Sequence, residues 1–182
     1  PALAAHAAGA ALRAARLPFV WDHECWAGLT ELGFLAVWLG AGKAEAADAR
    51  MRRFFALVRL QMVILYASAA CWKLTTSFLD PRTSCATVLL LELLASYSPE
   101  WIAPPGGALV RLVGHSAPVA TVALEFSIPA LLAGGGRLRR LGVGLGVLFH
   151  LVILLLPVNC AGGFSMSCAA RYVAFLPDAA GA

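Results

Sequence analysis

RLQMVILYASAACWK, residues 59–73, is a run of thirteen uncharged residues with a cation at each end. Arg59, Tyr66 and Lys73 recur every seven positions, with Ala70 between the last two. At 3.6 residues per turn these four share one helix face. An amine at the end of a membrane-length apolar run is costly unless it snorkels, pairs or does chemistry. A snorkelling lysine at the membrane edge satisfies the helix taken alone. The rest of the chain decides whether more is needed.

Of 182 residues, 60% are hydrophobic and 13% charged, with a mean hydropathy of +0.79. Soluble domains carry about 25% charged residues, so the composition predicts an integral membrane protein. The length fits one helical domain over 1–182. The net charge of +4 comes largely from arginine clusters, which suits membrane topology and lipid headgroups. No basic patch is interleaved with aromatics in a polar segment, which argues against nucleic acid. Cys25, Cys71, Cys85, Cys160 and Cys168 show neither CxxC spacing nor a metal-finger pattern, so no metal site is expected. A Cys160–Cys168 bridge fits an oxidising side, and buried free thiols fit otherwise. The chain opens on Pro1, which predicts a removed targeting segment or a piece of a longer protein.

Residues 1–20 read as the remnant of an earlier membrane helix or as an amphipathic surface helix. Asp22 is a candidate N-cap, with Trp21 and Trp26 at the membrane interface, and a first spanning helix runs from there to Gly42. A basic connector over 43–53 leads to a second helix at 54–74. Residues 75–112, with Pro81, Pro99, Pro104 and Pro105, read as a long irregular segment. Its run Ala86–Ala95 is too short to span, since crossing takes about 20 residues, and is expected to be re-entrant or interfacial. A third helix is placed at 113–133, a tight basic turn at 134–140, a fourth helix at 141–157 and a short last one from 164. The expected fold is thus all-α integral membrane, a bundle of four to five spanning helices.

Loop 43–53 carries Lys43, Arg50, Arg52 and Arg53, and the turn carries Arg137, Arg139 and Arg140, whereas 158–163 has no basic residue. Basic and non-basic connections alternate, as the positive-inside rule requires. His23, Lys73, Asn159, Phe164 and Ser165 then emerge on the same, non-basic side.

Glu125 and His150 interrupt apolar helices twelve residues before and thirteen after Arg137. Equal rise puts them at similar depth, and a charge there is expensive, so they are expected to face each other or a shared wet cavity. A pair that only fixes helix packing is the plainer reading, and a lone His150 also suits an axial ligand of a pigment tetrapyrrole. His23 and Lys73 suggest chemistry: a desolvated site favours the neutral amine, a strong base. His23 or Tyr66 is then placed to hold that amine or move its proton. From its helix-end position, Lys73→Met is expected to preserve folding.

Three stretches resemble the HTTM (horizontally transferred transmembrane) domain, the membrane part of vitamin K-dependent gamma-carboxylase and its relatives. YASAACWKL (66–74) is similar to the family's tyrosine–small-residue–lysine–leucine segment, with Lys73 at the catalytic lysine. WDHECWAGL (21–29) resembles its histidine-bearing helix start, with His23 matching the assisting histidine. LFHLVILLLPVNCAGGFSMSCAARYVAF (148–175) resembles its late signature, a helical histidine followed by phenylalanine-serine, here His150, Phe164 and Ser165.

The resemblance implies a lyase-type reaction on an isoprenoid hydroquinone. The lysine removes a proton, oxygen adds, and the alkoxide formed deprotonates a glutamyl side chain that takes up carbon dioxide. The sequence departs from it in three ways: these residues hold no counterpart of the large substrate-binding domain, the family's opening helices are missing or reduced to residues 1–20, and Trp72 stands where the animal enzyme has a second lysine. Two readings follow. One is a quinol-dependent enzyme with Lys73 as base. The other is a non-catalytic transmembrane subunit that docks in a larger, energy-transducing membrane complex and binds lipid, quinone or pigment.

Overall fold

The computed structural model describes residues 1–16, 22–42, 45–157 and 162–176, with backbone alone at 22 and 23. Every regular element among them is helical: α1 Ala2–Ala15, α2 Asp22–Gly40, α3 Ala47–Trp72, α4 Thr76–Leu79, α5 Cys85–Tyr97, α6 Ala108–Ala133, α7 Gly136–Leu154 and α8 Gly162–Arg171, then a 3₁₀ turn Tyr172–Phe175. Of these, α3 and α6 are long and apolar enough to cross a membrane.

Several boundaries differ from the sequence expectation. Helix α3 starts at Ala47, so Arg50, Arg52 and Arg53 lie in its first turns and not in a loop. The 75–112 segment is largely helical, holding α4, α5 and the start of α6. Its prolines fall between helices, where a missing N–H costs nothing, so they separate elements without preventing them. The supposed turn at 134–140 is shorter. Gly136, with φ +51°, already opens α7, and Arg137, Arg139 and Arg140 are helical.

The chain divides into two compact units, residues 1–62 with 163–182, and residues 63–162. In the first, α1 packs on α2. Phe34 stacks on Trp38 with ring centroids 4.1 Å apart, and meets His6 at 4.1 Å and the edge of Phe54 at 5.3 Å. Arg13 forks onto the Glu31 carboxylate, Nε to Oε2 at 3.1 Å and Nη2 to Oε1 at 3.2 Å.

In the second unit, α5 and α7 both pack on α6. Helix α6 buries Gly114, Ala117, Pro118, Val122, Glu125, Ile128, Pro129 and Leu132, one stripe at steps of three and four. Two prolines inside a helix each remove an N–H that would serve the carbonyl four residues earlier. For Pro118 that carbonyl is Gly114, and the Thr87 hydroxyl of α5 donates to it at 3.0 Å. A side chain from the neighbouring helix thus replaces the lost backbone donor. Helix α7 answers with Gly142, Gly146 and His150, buried at every fourth position. A Cβ on Gly142 would sit 2.9 Å from both the Leu131 Cβ and the Leu132 nitrogen. Only glycine lets the two backbones approach this closely.

Candidate functional site

Lys73 is the first residue beyond α3, its N–H shared between the carbonyls of Ala69 and Ala70, each at 3.2 Å. The heptad face proposed from the sequence is real for Tyr66 and Ala70, both within 1% of full burial. Where that face ends, the Lys73 side chain turns to α6. Its Nζ donates to Glu125 Oε1 at 2.9 Å and lies 2.8 Å from Oε2. The contact to Oε2 is an ion-pair distance without hydrogen-bonding angles, so Oε2 keeps no hydrogen bond of its own. The lysine side chain is 28% exposed and the glutamate 7%, and the Phe78 ring lies under the ammonium, 5.8 Å from Nζ to its centroid. This is a carboxylate inside a helix stripe, answered by an amine that still reaches the surface.

Two turns earlier on α3, Tyr66 Oη lies 2.5 Å from His150 Nε2. Both residues are 1% exposed, so the hydroxyl–imidazole contact is shielded from solvent. Two polar contacts thus lie on or just beyond this part of α3, Lys73–Glu125 and Tyr66–His150.

This corrects the expectation that Glu125 and His150 lie level and answer each other. The depth count was taken from Arg137, but the turn between α6 and α7 is Gly134–Gly135. From there Glu125 is nine residues back and His150 fifteen on. Their levels differ by six residues' rise, about 9 Å. Each finds its partner on or just beyond α3. The sequence did carry a signal for the true pairing: Glu125 is the one acid of α6, and Lys73 an amine at the end of the apolar part of α3. Charge complementarity was a better guide than depth.

The other site candidates are placed as follows. His23 lies in the first turn of α2, and its side chain falls outside the described residues, as do Asn159 and Cys160. Phe164 and Ser165 lie in the first turn of α8, in the first unit, with Ser165 fully buried. Arg59 donates through Nε to the Ala174 carbonyl at 2.5 Å. Cys25, Cys71 and Cys85 are exposed thiols and Cys168 is a buried one; the expectation of a Cys160 partner for it lies outside the described residues. Among the described residues no group of three His, Cys, Asp or Glu is gathered as a metal would need.

Sequence reading missed a second polar cluster, in the first unit. Thr30, Gln61, Ser167 and Arg171 are joined there by hydrogen bonds of 2.9–3.1 Å. Their spacing on three separate helices leaves no local pattern to find.

Compared with family models, with characterised proteins and with solved structures, the chain matches none.

Proposed function

We propose that the chain is a multi-pass membrane bundle of the HTTM, gamma-carboxylase-like kind. Its Lys73–Glu125 pair handles the hydroxyl proton of an isoprenoid hydroquinone. The membrane reading rests on α3 and α6, whose apolar windows are only 28% and 39% buried within the chain. A soluble core helix hides most of such a surface; these faces need lipid or other helices. Arginines also cluster in the first turns of α3 and of α7, as the positive-inside rule asks of helix ends on the non-translocated side.

The observation that carries the chemical reading is the ion pair at the exit of α3. An ammonium cannot act as a base until it loses a proton, and the Glu125 carboxylate is 2.9 Å away to take it. That transfer breaks one N–H bond, forms one O–H bond and leaves both groups neutral. A mostly apolar surround favours this neutral pair more than water would. Neutral Lys73 then accepts the proton of a hydroquinone hydroxyl, and the new ammonium faces the oxygen that has gained the charge. Tyr66 and His150, already bound to each other, stiffen the α3–α7 contact beside the amine.

Purified chain in lipid nanodiscs, given a reduced isoprenoid quinone, should consume oxygen. Lys73→Met should abolish this and Glu125→Gln should slow it. Oxygen uptake that survives Lys73→Met removes the base from the reading.

The second reading, a docking subunit, is favoured by the same unburied apolar windows and by Trp72 and Trp101, which are 81% and 83% exposed. Extraction in mild detergent separates the two. A stoichiometric large complex around the chain, with no oxygen uptake by the isolated bundle, selects docking.

A further inference from the structure

The polar cluster of the first unit contains a guanidinium with no acid. Arg171, the last residue of α8, donates through Nε to the Thr30 hydroxyl at 3.1 Å and through Nη1 to the Ser167 hydroxyl at 2.9 Å. It also lies against the buried Cys168 thiol. All these partners are neutral. The Thr30 hydroxyl is itself engaged, 2.9 Å from the Trp26 carbonyl and 3.1 Å from Gln61 Oε1, and the Gln61 amide is fixed on the Leu29 carbonyl at 3.0 Å.

The nearby charges do not cancel Arg171. Glu31 is occupied by the Arg13 fork and Glu24 by Arg16 at 3.1 Å. Arg13 is close enough to Arg171 to repel it. Three residues beyond Arg171, the Ala174 carbonyl holds Arg59 through Nε alone. Among the described residues, neither Arg171 nor Arg59 has a carboxylate within ion-pair distance. Arg13 and Arg16 balance Glu31 and Glu24, so among the described residues Arg171 and Arg59 stay without an acid at half-buried positions of the first unit.

A packing role does not require this. A latch between α8 and α2 needs hydrogen-bond donors, which a glutamine supplies without a desolvated charge. A half-buried cation in a membrane chain is stable when something anionic answers it. Guanidiniums fit one class of ligand best, because their planar forks match the two oxygens of a carboxylate or phosphate.

We infer that Arg171, with Arg13 close by and Arg59 held on the 3₁₀ turn that follows, receives an oxyanion, a carboxylate or phosphate group, in the first unit. Thr30 and Ser167 hold the Arg171 fork in place, and the anion takes the outward Nη donors. This site is separate from the Lys73–Glu125 pair and does not depend on the chemistry proposed there. Two sources carry the required group: a small free anion, or the headgroup of an acidic lipid.

The test is thermal unfolding of the full chain in uncharged detergent, with sodium chloride matched for ionic strength. The probes are inorganic phosphate, phosphatidic acid and phosphatidylcholine. Phosphate or phosphatidic acid should raise the midpoint, and phosphatidylcholine should not. A response to phosphate identifies a free-anion site, and a response to phosphatidic acid alone identifies a lipid headgroup. Arg171→Gln should weaken the apparent affinity at least tenfold while the unliganded midpoint stays near that of the parent. Should Arg171→Gln fail to fold, Arg171→Lys keeps the charge and removes the fork, and it should lose part of the gain. The inference is overturned if neither anion shifts the parent chain, or if the Arg171 variants respond as fully as it does.

Discussion

Thr87→Val tests the account of how α6 tolerates a proline in its interior. The substitution keeps the shape of the side chain and replaces the hydroxyl by a methyl. Thr87 is 8% exposed, and its Oγ1 donates at 3.0 Å to the Gly114 carbonyl that Pro118 leaves without a helical donor. Valine strands that carbonyl in a buried place, since Gly114 and Pro118 are themselves buried. An unsatisfied buried acceptor costs about 1–3 kcal/mol. In a chain of this size each kcal/mol moves the unfolding midpoint by about 2–4 °C. The assay is far-UV circular dichroism of the purified protein during heating in detergent. A second background makes the test specific. Pro118→Ala restores the backbone N–H to position 118, so the Gly114 carbonyl regains its own helix donor. In that background Thr87→Val should cost about 0.5 kcal/mol or less, leaving a coupling of at least about 0.5 kcal/mol between the two positions. Equal losses in both backgrounds would refute the reasoning, because Thr87 would then stabilise by packing and not by replacing the lost bond.

The ion pair alters what Lys73→Met should do. A helix-end position alone predicted tolerance, but methionine leaves the Glu125 carboxylate, 7% exposed, without its cation. Breaking a buried pair costs about 3–5 kcal/mol; with the lysine 28% exposed, the loss should be nearer about 2 kcal/mol. The double variant Lys73→Met/Glu125→Gln should recover most of it in the same melting assay, and no recovery would mean that the pair is not the cause. At the α6–α7 crossing, Gly142→Ala should cost about 1–3 kcal/mol, because its Cβ meets backbone. Gly144→Ala, with open space around it, should be neutral or gain up to about 1 kcal/mol from helix propensity. Midpoints of these two variants moving together would contradict the close approach.

What was legible in the sequence followed from local physics. Apolar length and the scarcity of charge announced helices, and the 59–73 spacing put Tyr66 and Ala70 on one face, which the structure buries. Boundaries were less legible where glycine and arginine cluster. The GGGRLRR stretch read as a turn because three glycines open it, yet the third has the positive φ that begins α7 and the arginines simply coat its first turn. Partnerships were least legible. Glu125 was recognised as needing a partner, but its choice of Lys73 over His150 depends on which faces of α3, α6 and α7 meet, and a depth count carries no azimuth. Arg171 drew no attention, because its partners Thr30 and Ser167 are ordinary hydroxyl residues whose importance exists only in three dimensions.

Helix α6 carries its two prolines, both buried, eleven residues apart, about three turns and so on one side. Glu125 lies between them, seven residues after the first and four before the second. Mechanically, α6 is a rod with two joints, and the carboxylate rides on the link between them. Thr87 braces the first joint from α5; the second, at Pro129, frees the backbone carbonyl of Glu125 itself. Opposite bends at the two joints would shift that carboxylate relative to the Lys73 ammonium while the ends of α6 stay in place. A motion of this kind would make and break the ion pair without unpacking a helix, which couples the pair to anything that presses on α6.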